Sequence, residues 1–165
     1  PRLFFFNPPP AITAAQESRG LGDVYKRQNV LASGTNKEKL DNLKKNKGSI
    51  INISSIMGVT GGGPAPNSPY HASNGALVNL TRSLANEWGD RGIRVNSIGP
   101  TYTKTRLVKE LSKDKAKLDH IIQRTPLKRL AEVSEMAGGI LFLASDASSI
   151  VTGHTLILDR GSSAI

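Results

Sequence analysis

Two short β-branched apolar runs on either side of a long helical pattern constrain the fold more than any other feature of this chain. The runs GSIINISS and GIRVNSIGP are each typical of a buried parallel strand. The stretch 69–88 between them is the longest helix candidate, and it repeats apolar residues at helical spacing, at Leu77, Leu80, Leu84 and Trp88. This order predicts a strand, a helix and a second strand.

The rest of the chain continues the alternation of helices and strands. Residues 104–124 predict one or two short basic helices, and GHTLILD predicts a last strand. EVSEMAGGILFLAS predicts an amphipathic helix with five residues facing inward, which are Val133, Ala137, Ile140, Leu141 and Ala144. Because helices that alternate with strands are typical of an α/β fold with a parallel sheet, we predict that fold class here.

The composition argues against several kinds of site and setting. The chain has no cysteine, and its three histidines lie far apart in sequence, so we predict no metal site. No apolar run reaches the ~20 residues of a membrane span. We therefore expect no membrane partner and a cytoplasmic location.

Basic residues give the chain a formal net charge of +9 and crowd two stretches, 36–47 and 104–129. Acidic residues interleave the second stretch, which is typical of the solvated faces of short helices. The alternative is attraction to phosphates, either of a nucleotide cofactor or of nucleic acid. Since no RNA-stacking motif or recognition helix accompanies the charge, we expect no nucleic-acid partner.

Residues 1–28 differ in character from the rest of the chain. They hold a Phe triplet, a Pro triplet and no sustained period, and RGLGDVYKRQ resembles translated sequencing-adapter sequence. We predict that 1–28 is a non-homologous segment, disordered or artefactual, and that 29–165 is one partial domain. The first methionine is Met57, and we interpret the chain as a fragment.

A family resemblance rests on the order and spacing of three pieces: GSIINISS, Tyr70 with GALVNLTRSLANEWGDRGIRVNSIGP, and LFLASDASSIVTGHTLILDRG. Over residues 48–161 they resemble the C-terminal half of a short-chain dehydrogenase/reductase, and they are similar to members of the gluconate 5-dehydrogenase and 3-oxoacyl-carrier-protein reductase types. The resemblance implies a truncated, doubly wound Rossmann-like parallel sheet. The glycine-rich first turn of that fold, which cradles the cofactor phosphates, is not recognised in the sequence.

The resemblance also implies an activity, that of an NAD(P)-dependent oxidoreductase transferring a hydride between nicotinamide and a secondary alcohol or ketone substrate. Ser55 matches the family's serine that hydrogen-bonds the substrate oxygen, and Tyr70 matches the tyrosine that transfers the proton. Asn74 stands where the family has a catalytic lysine. The alternatives are a strand-end turn cap for Ser55 and a surface aromatic at a helix start for Tyr70. We expect a homo-oligomer for the full-length parent.

The resemblance assigns cofactor contacts to the same helix and to the loop GPTYTKT, which in the family closes over nicotinamide. Thr101 replaces the family's glycine in this loop. The residues implied to bind the cofactor, NAD or NADP, are Tyr70, Asn74, Pro100, Thr101, Thr103 and Thr105. Ordinary loop capping is the alternative for Thr103 and Thr105. Near the C-terminus, Asp159–Arg160–Gly161 replaces the family's usual Asp-Gly-Gly.

The residue type at position 74 bears on whether the chain is active. A free tyrosine has a pKa of ~10, and a cation ~4–6 Å away lowers the pKa of an acid by ~1–3 units. Because asparagine offers hydrogen bonds but no charge, Asn74 predicts impaired proton transfer. A misread lysine codon is one alternative. Another is a non-catalytic family member that serves as a nucleotide-binding or oligomerisation module.

Overall fold

Parallel pairing organises the strands of this chain into one sheet. The computed structural model of the chain describes the following residues: 3–6, 48–63, 66–106, 108 and 113–164. Within them, the strands lie side by side in chain order: β1 (Leu3–Phe6), β2 (Ser49–Ile53), β3 (Arg94–Pro100) and β4 (Thr155–Leu158). Every neighbouring pair is parallel, so the predicted α/β fold with a parallel sheet is confirmed.

Helices carry the chain between the strands, because parallel strands need a crossover connection. α1 (Ser68–Trp88) joins β2 to β3, and α2 (Lys115–Gln123) and α3 (Glu135–Ala144) lie between β3 and β4. Short 3₁₀ helices are described as well, at Ile56–Gly58, Gly89–Arg91 and Asp146–Ser148. In the described ranges, no helix has the length and apolar character needed to cross a membrane.

α1 buries its apolar stripe against one face of the sheet. The predicted stripe is confirmed, because its members pack into one cluster with Ile50 of β2 and Val95 of β3: Leu77, Leu80, Leu84 and Trp88. The cluster fixes α1 beside the two central strands, whose ends carry the predicted site residues.

A buried hydrogen bond links β2 to the middle of α1. The side-chain Nδ2 of Asn52 donates to Thr81 Oγ1 at 2.9 Å, and that hydroxyl donates onward to the carbonyl oxygen of Leu77 at 2.8 Å. Asn52 and Thr81 are both buried, so two polar groups that would be costly alone satisfy each other. The bond selects one rotation of α1 on the sheet.

α3 contributes to a second apolar cluster. Ile51 and Ile98 pack there with Leu143 and Ala144 of α3. Because successive residues of a strand point to opposite faces, Ile50 and Ile51 reach different clusters. The sheet is therefore covered by helices on both faces, as expected of a doubly wound fold.

The prediction of which side of α3 faces inward is wrong at three positions. The exposed residues are Val133 (58%), Leu141 (63%) and Ala137. The physical reason is a close approach of Gly139 to β4, since a Cβ at position 139 would lie 2.8 Å from Cδ1 of Leu158. Leu143, one turn after Gly139, is consequently fully buried.

β1 lies within the segment 1–28, which the sequence predicts to be disordered or artefactual. Leu3–Phe6 pairs in parallel with β2, with Leu3 opposite Ser49 and Phe6 opposite Asn52. An aromatic run has high β propensity, and β1 covers an edge that β2 would otherwise leave open. The rest of 1–28 and all of 29–47 lie outside the described residues, so the foreign origin of 1–28 stays a prediction.

Candidate active site

The carboxyl ends of β2 and β3 bring two of the predicted site segments together. Ser55 follows β2 and is buried, while Pro100 ends β3 and Thr101 follows it. The backbone of Gly99 lies next to that of Ser55, since a Cβ at position 99 would be in van der Waals contact, at 3.4 Å, with both the carbonyl carbon and the oxygen of Ser55. Since ligands of parallel α/β sheets bind outside the carboxyl ends of the strands, this edge is the candidate active site.

Ser55 caps the 3₁₀ helix that follows it. Its Oγ accepts a hydrogen bond from the backbone nitrogen of Met57 at 3.2 Å. This is the turn-capping role given above as the alternative to catalysis. A hydroxyl has a proton to donate in addition to the lone pairs that accept, so the cap is compatible with a hydrogen bond from Ser55 to a substrate oxygen.

The first turns of α1 pack closely against the segment after β2. Ser54 Oγ donates to the carbonyl oxygen of Asn74 at 3.2 Å. Gly58 permits the contact, because a Cβ at position 58 would lie 2.8 Å from that same oxygen. Tyr70, the third residue of α1, is partly buried. This packing brings the turn of helix that carries Tyr70 to the edge where Ser55 lies.

Asn74 bonds to its own helix. Its Nδ2 donates to the carbonyl oxygen of Tyr70 at 2.9 Å. The structure therefore brings Asn74 and Tyr70 together, as their spacing predicts, but through the backbone of Tyr70. An amide carries no charge, so Asn74 places no cation near the phenol of Tyr70.

The threonine hydroxyls of the loop after β3 bond within that loop. Thr103 Oγ1 donates to the carbonyl oxygen of Thr101 at 2.9 Å, and both residues are buried. The exposed Thr105 accepts a bond from the backbone nitrogen of Val108 at 3.4 Å. These are the ordinary capping roles given as the alternative, and the cofactor roles of the loop stay predictions.

Tyr102 is a candidate that the sequence analysis missed. Burial raises the pKa of Tyr102 above the usual value of a phenol, and the charge of Tyr70 raises it further. A charge effect of this kind requires the two phenols to lie near each other. An aromatic residue directly after Pro100–Thr101, in the loop that resembles a nicotinamide-binding loop, is the signal that could have identified it.

Arg160 lies in the turn after β4 and reaches back to the end of β3. Its backbone φ is 60°, in the left-handed region that favours glycine. Its Nη2 donates to Thr101 Oγ1 at 3.4 Å. Burial lowers the pKa of Arg160, and Arg129 lowers it further, while the carboxylates of Asp159 and Glu135 act in the opposite direction.

The groups at this edge fit the nicotinamide end of a dinucleotide. Ser55 and Tyr70 offer hydroxyl groups, and Gly99 leaves the end of β3 without a side chain beside Ser55. In the part of the chain that the structure describes, no group of three or more His, Cys, Asp or Glu side chains could hold a metal ion. Among these residues, the phosphates of a dinucleotide have no predicted contacts other than Thr103 and Thr105.

Comparison with known proteins gives one family match that includes every predicted site residue. Residues 33–163 match a family model described as enoyl-(acyl carrier protein) reductase. Galactitol 2-dehydrogenase from Rhizobium johnstonii is 38% identical over 115 residues, which cover 70% of this chain and 45% of that protein. Gluconate 5-dehydrogenase from Gluconobacter oxydans is 37% identical over 120 residues, which cover 72% of this chain and 46% of that protein. The chain spans about half the length of these curated relatives.

A solved structure shares the fold. The crystal structure of a gluconate 5-dehydrogenase from Burkholderia cenocepacia, in complex with NADP and tartrate, matches with a TM-score of 0.71 and 35% sequence identity. The match covers 76% of this chain and 49% of that chain. The sheet and helices described above therefore correspond to about half of that enzyme's structure.

Proposed function

This chain belongs to the short-chain dehydrogenase/reductase family, and from that premise we propose that it acts as an NAD(P)-dependent oxidoreductase. It transfers a hydride between nicotinamide and a secondary alcohol or the corresponding ketone. The observation that carries the proposal is the shared edge of the sheet. Ser55 lies there at the end of β2, and the Ser54–Asn74 hydrogen bond and the Gly58 contact hold the Tyr70 turn of α1 against the same segment.

Two side chains of this chain act on the reacting oxygen atom. In ketone reduction Ser55 donates a hydrogen bond to the carbonyl oxygen, and the bond from Met57 to Ser55 Oγ orients that hydroxyl. Tyr70 transfers its phenolic proton to the same oxygen, which becomes the alcohol hydroxyl. The nicotinamide, when bound, supplies the hydride. In alcohol oxidation the phenolate of Tyr70 takes the proton back.

The loop after β3 orients the nicotinamide in this proposal. The bond from Thr103 to Thr101, and the backbone bonds of Tyr102 and Lys104 to Ala131, fix the conformation of this loop. Pro100 and Thr101 cover the ring, and Thr103 and Thr105 bind the carboxamide or a phosphate. Asn74 offers its amide to the ribose once it leaves the carbonyl oxygen of Tyr70.

The absence of a lysine at position 74 makes the proposed activity slow near neutral pH. A positive charge one turn from the tyrosine favours the phenolate, and Asn74 supplies only a dipole. General acid–base help of this kind is worth ~10²–10⁴-fold in rate.

The names of the relatives suggest a polyhydroxylated substrate. Galactitol is a neutral polyol and gluconate is a sugar acid, and both carry secondary alcohols. We extend the proposal to a small polyol or sugar acid as substrate, to a homo-oligomeric assembly, and to a cytoplasmic setting.

A second candidate function is a non-catalytic module that binds nucleotide or partner subunits. The bond from Asn74 to the Tyr70 carbonyl favours it, because this side chain is engaged by its own helix. Exposed apolar side chains on and after α3, at Leu141, Phe142 and Ile150, favour an oligomerisation role.

Turnover with matched variants tests these functions. The purified chain is mixed with NAD⁺ or NADP⁺ and with gluconate or galactitol, and formation of the reduced nicotinamide is followed by absorbance at several pH values. We expect Tyr70→Phe and Ser55→Ala to lose the activity and Ser83→Ala, on the exposed surface of α1, to keep it. Turnover that survives Tyr70→Phe contradicts the catalytic assignment, and nucleotide binding without turnover supports the second candidate.

A further inference from the structure

The guanidinium of Arg160 has hydrogen-bond donors that nothing in the described chain satisfies. Its Nε and Nη1 atoms are buried and have no hydrogen-bond partner. The remaining nitrogen, Nη2, makes only the 3.4 Å contact with Thr101 Oγ1, which is long for a hydrogen bond. Buried donors without partners are rare in folded proteins, so these N–H groups call for an acceptor.

The carboxylates near Arg160 are committed to other groups. Asp159 accepts bonds from the backbone nitrogens of Gly161, at 3.0 Å, and Ser163, at 2.5 Å. Glu135 accepts two bonds from Arg129, at 2.5 and 2.7 Å, and one from the nitrogen of Glu132, at 2.7 Å. Within the described residues, no carboxylate forms an ion pair with Arg160. The missing acceptor is therefore not one of these carboxylates, and the strongest acceptor for a guanidinium is an anion.

The backbone conformation at Arg160 is unfavourable for a residue that has a side chain. A left-handed φ of 60° is strained for a residue with a Cβ, and glycine, which the family usually has here, would fit without strain. A strained residue with unsatisfied donors at the ligand-binding edge of a sheet is typical of a functional position.

The position of Arg160 suits one end of a short acid. It follows β4, which lies two strands from β2 and Ser55. Neighbouring strands are ~4.8 Å apart, so the ends of β2 and β4 are separated by about 10 Å. The arginine side chain can span part of that distance. A five- or six-carbon chain can reach from a hydroxyl at Ser55 to a guanidinium on that side.

We propose that Arg160 is a specificity-determining residue that binds the carboxylate of the substrate, so that the substrate is a hydroxy or keto acid and not a neutral polyol. This inference rests on the proposed function. The planar guanidinium matches the two oxygens of a carboxylate. In the present conformation Nε and Nη1 are covered, and Arg160 reaches the substrate by rotation about its side-chain bonds. Among the described residues, the long contact with Thr101 is the only hydrogen bond of the guanidinium that this rotation breaks.

Paired ligands and variants test the inference. The probes are gluconate and sorbitol, which have equal carbon numbers and differ in charge, and their affinities for the full chain are measured by calorimetry with NADP⁺ present. Arg160→Gly is the test variant, because glycine accommodates the left-handed backbone and the fold should survive. Arg82→Gln is the control, since it removes the same charge from the exposed surface of α1.

We expect Arg160→Gly to weaken gluconate binding by roughly 10- to 100-fold and to leave sorbitol binding unchanged. Arg160→Lys should recover part of the loss, and Arg82→Gln should have no effect. Equal losses for gluconate and sorbitol, or no loss for gluconate, overturn the inference while the proposed function stands. A loss of NADP⁺ affinity with gluconate affinity unchanged overturns it too, because the anion is then a cofactor phosphate. If neither compound binds or turns over with the unmodified chain, the proposed function fails and this inference with it.

Discussion

Asn74 donates its side-chain amide to the carbonyl oxygen of Tyr70, one helical turn earlier, at 2.9 Å. A side chain at this position is therefore close enough to act on Tyr70, but asparagine acts on the peptide group and brings no charge. A slow rate in the proposed reaction would therefore result from the residue type at position 74. It would not result from a displacement of α1.

Replacing this asparagine with lysine should raise turnover. A cation near a tyrosine favours its ionised form by ~1–3 pKa units, so Asn74→Lys should increase the rate about tenfold or more below pH ~8 and have little effect near pH ~10. The rate is measured against pH for the unmodified chain, Asn74→Lys, and the double variant with Tyr70→Phe. The double variant should show no gain. Equal rates for asparagine and lysine at neutral pH would show that charge at position 74 is irrelevant.

Tyr102 should make the stability of the chain fall in alkaline solution. Burial, and then the charge of Tyr70, raise its pKa, so the folded state favours the neutral phenol. The stabilising contribution is complete below the ordinary phenol pKa of ~10 and is lost as the pH rises through the higher folded value. Between about pH 9 and 11, the melting temperature of Tyr102→Phe should therefore decline less steeply with pH than that of the unmodified chain. Identical declines for the two proteins would show that Tyr102 is not the group responsible.

Gly58 should tolerate no side chain, because its contact is with backbone. A Cβ at position 58 would lie 2.8 Å from the carbonyl oxygen of Asn74 and 2.9 Å from its carbon. Neither atom can move without shifting α1, so Gly58→Ala should reduce the free energy of unfolding by about 1–3 kcal/mol and lower turnover. Gly62→Ala is the control, since a Cβ there meets nothing within 4 Å. Urea denaturation of both variants measures the difference, and equal stabilities would contradict the close contact.

Arg129 should control the ionisation of Glu135. Hydrogen bonds from the Arg129 guanidinium, and then from the Glu132 backbone, lower the pKa of Glu135 from 4.5 to about 2. The pair therefore stabilises the fold above pH ~4.5, and the contribution disappears as the pH falls towards about 2. Arg129→Gln should move the carboxyl titration of Glu135, followed by NMR, upward towards 4.5. Arg91→Gln, which removes the Asp90 partner at 3.8 Å, should leave it in place, and an unmoved titration in Arg129→Gln would refute the pairing.

The sequence was sufficient for the features that follow from a repeating pattern. The stripe from Leu77 to Trp88 predicted α1 and its buried face correctly, because helical spacing alone decides which side chains share a surface. The approach of Ser55 to the loop after β3 also follows from pattern, since parallel strands place their carboxyl ends at one edge of the sheet, and α1, which follows β2, begins at that same edge. Their catalytic roles stay predictions, as do the cofactor roles of the loop after β3.

The features that depend on a distant partner could not be predicted in this way. α3 has apolar residues around much of its surface, and the close approach of Gly139 to Leu158, a contact between remote parts of the chain, decides which of them is buried. β1 was missed because a four-residue strand carries too little period to recognise and gains its stability from pairing with β2. The unsatisfied donors of Arg160 could not be inferred, because burial of individual atoms is a property of the whole fold.

The hydrogen bond between Asn52 and Thr81 attaches α1 to β2 near the middle of the helix. Tyr70 lies eleven residues before Thr81, which is about 16 Å along the helix axis. A tilt about Thr81 would displace the phenol, but the contacts of Ser54 and Gly58 with Asn74 support the helix a second time, close to Tyr70. Two supports along α1, at Thr81 and at Asn74, therefore set the distance over which Tyr70 transfers its proton in the proposed reaction.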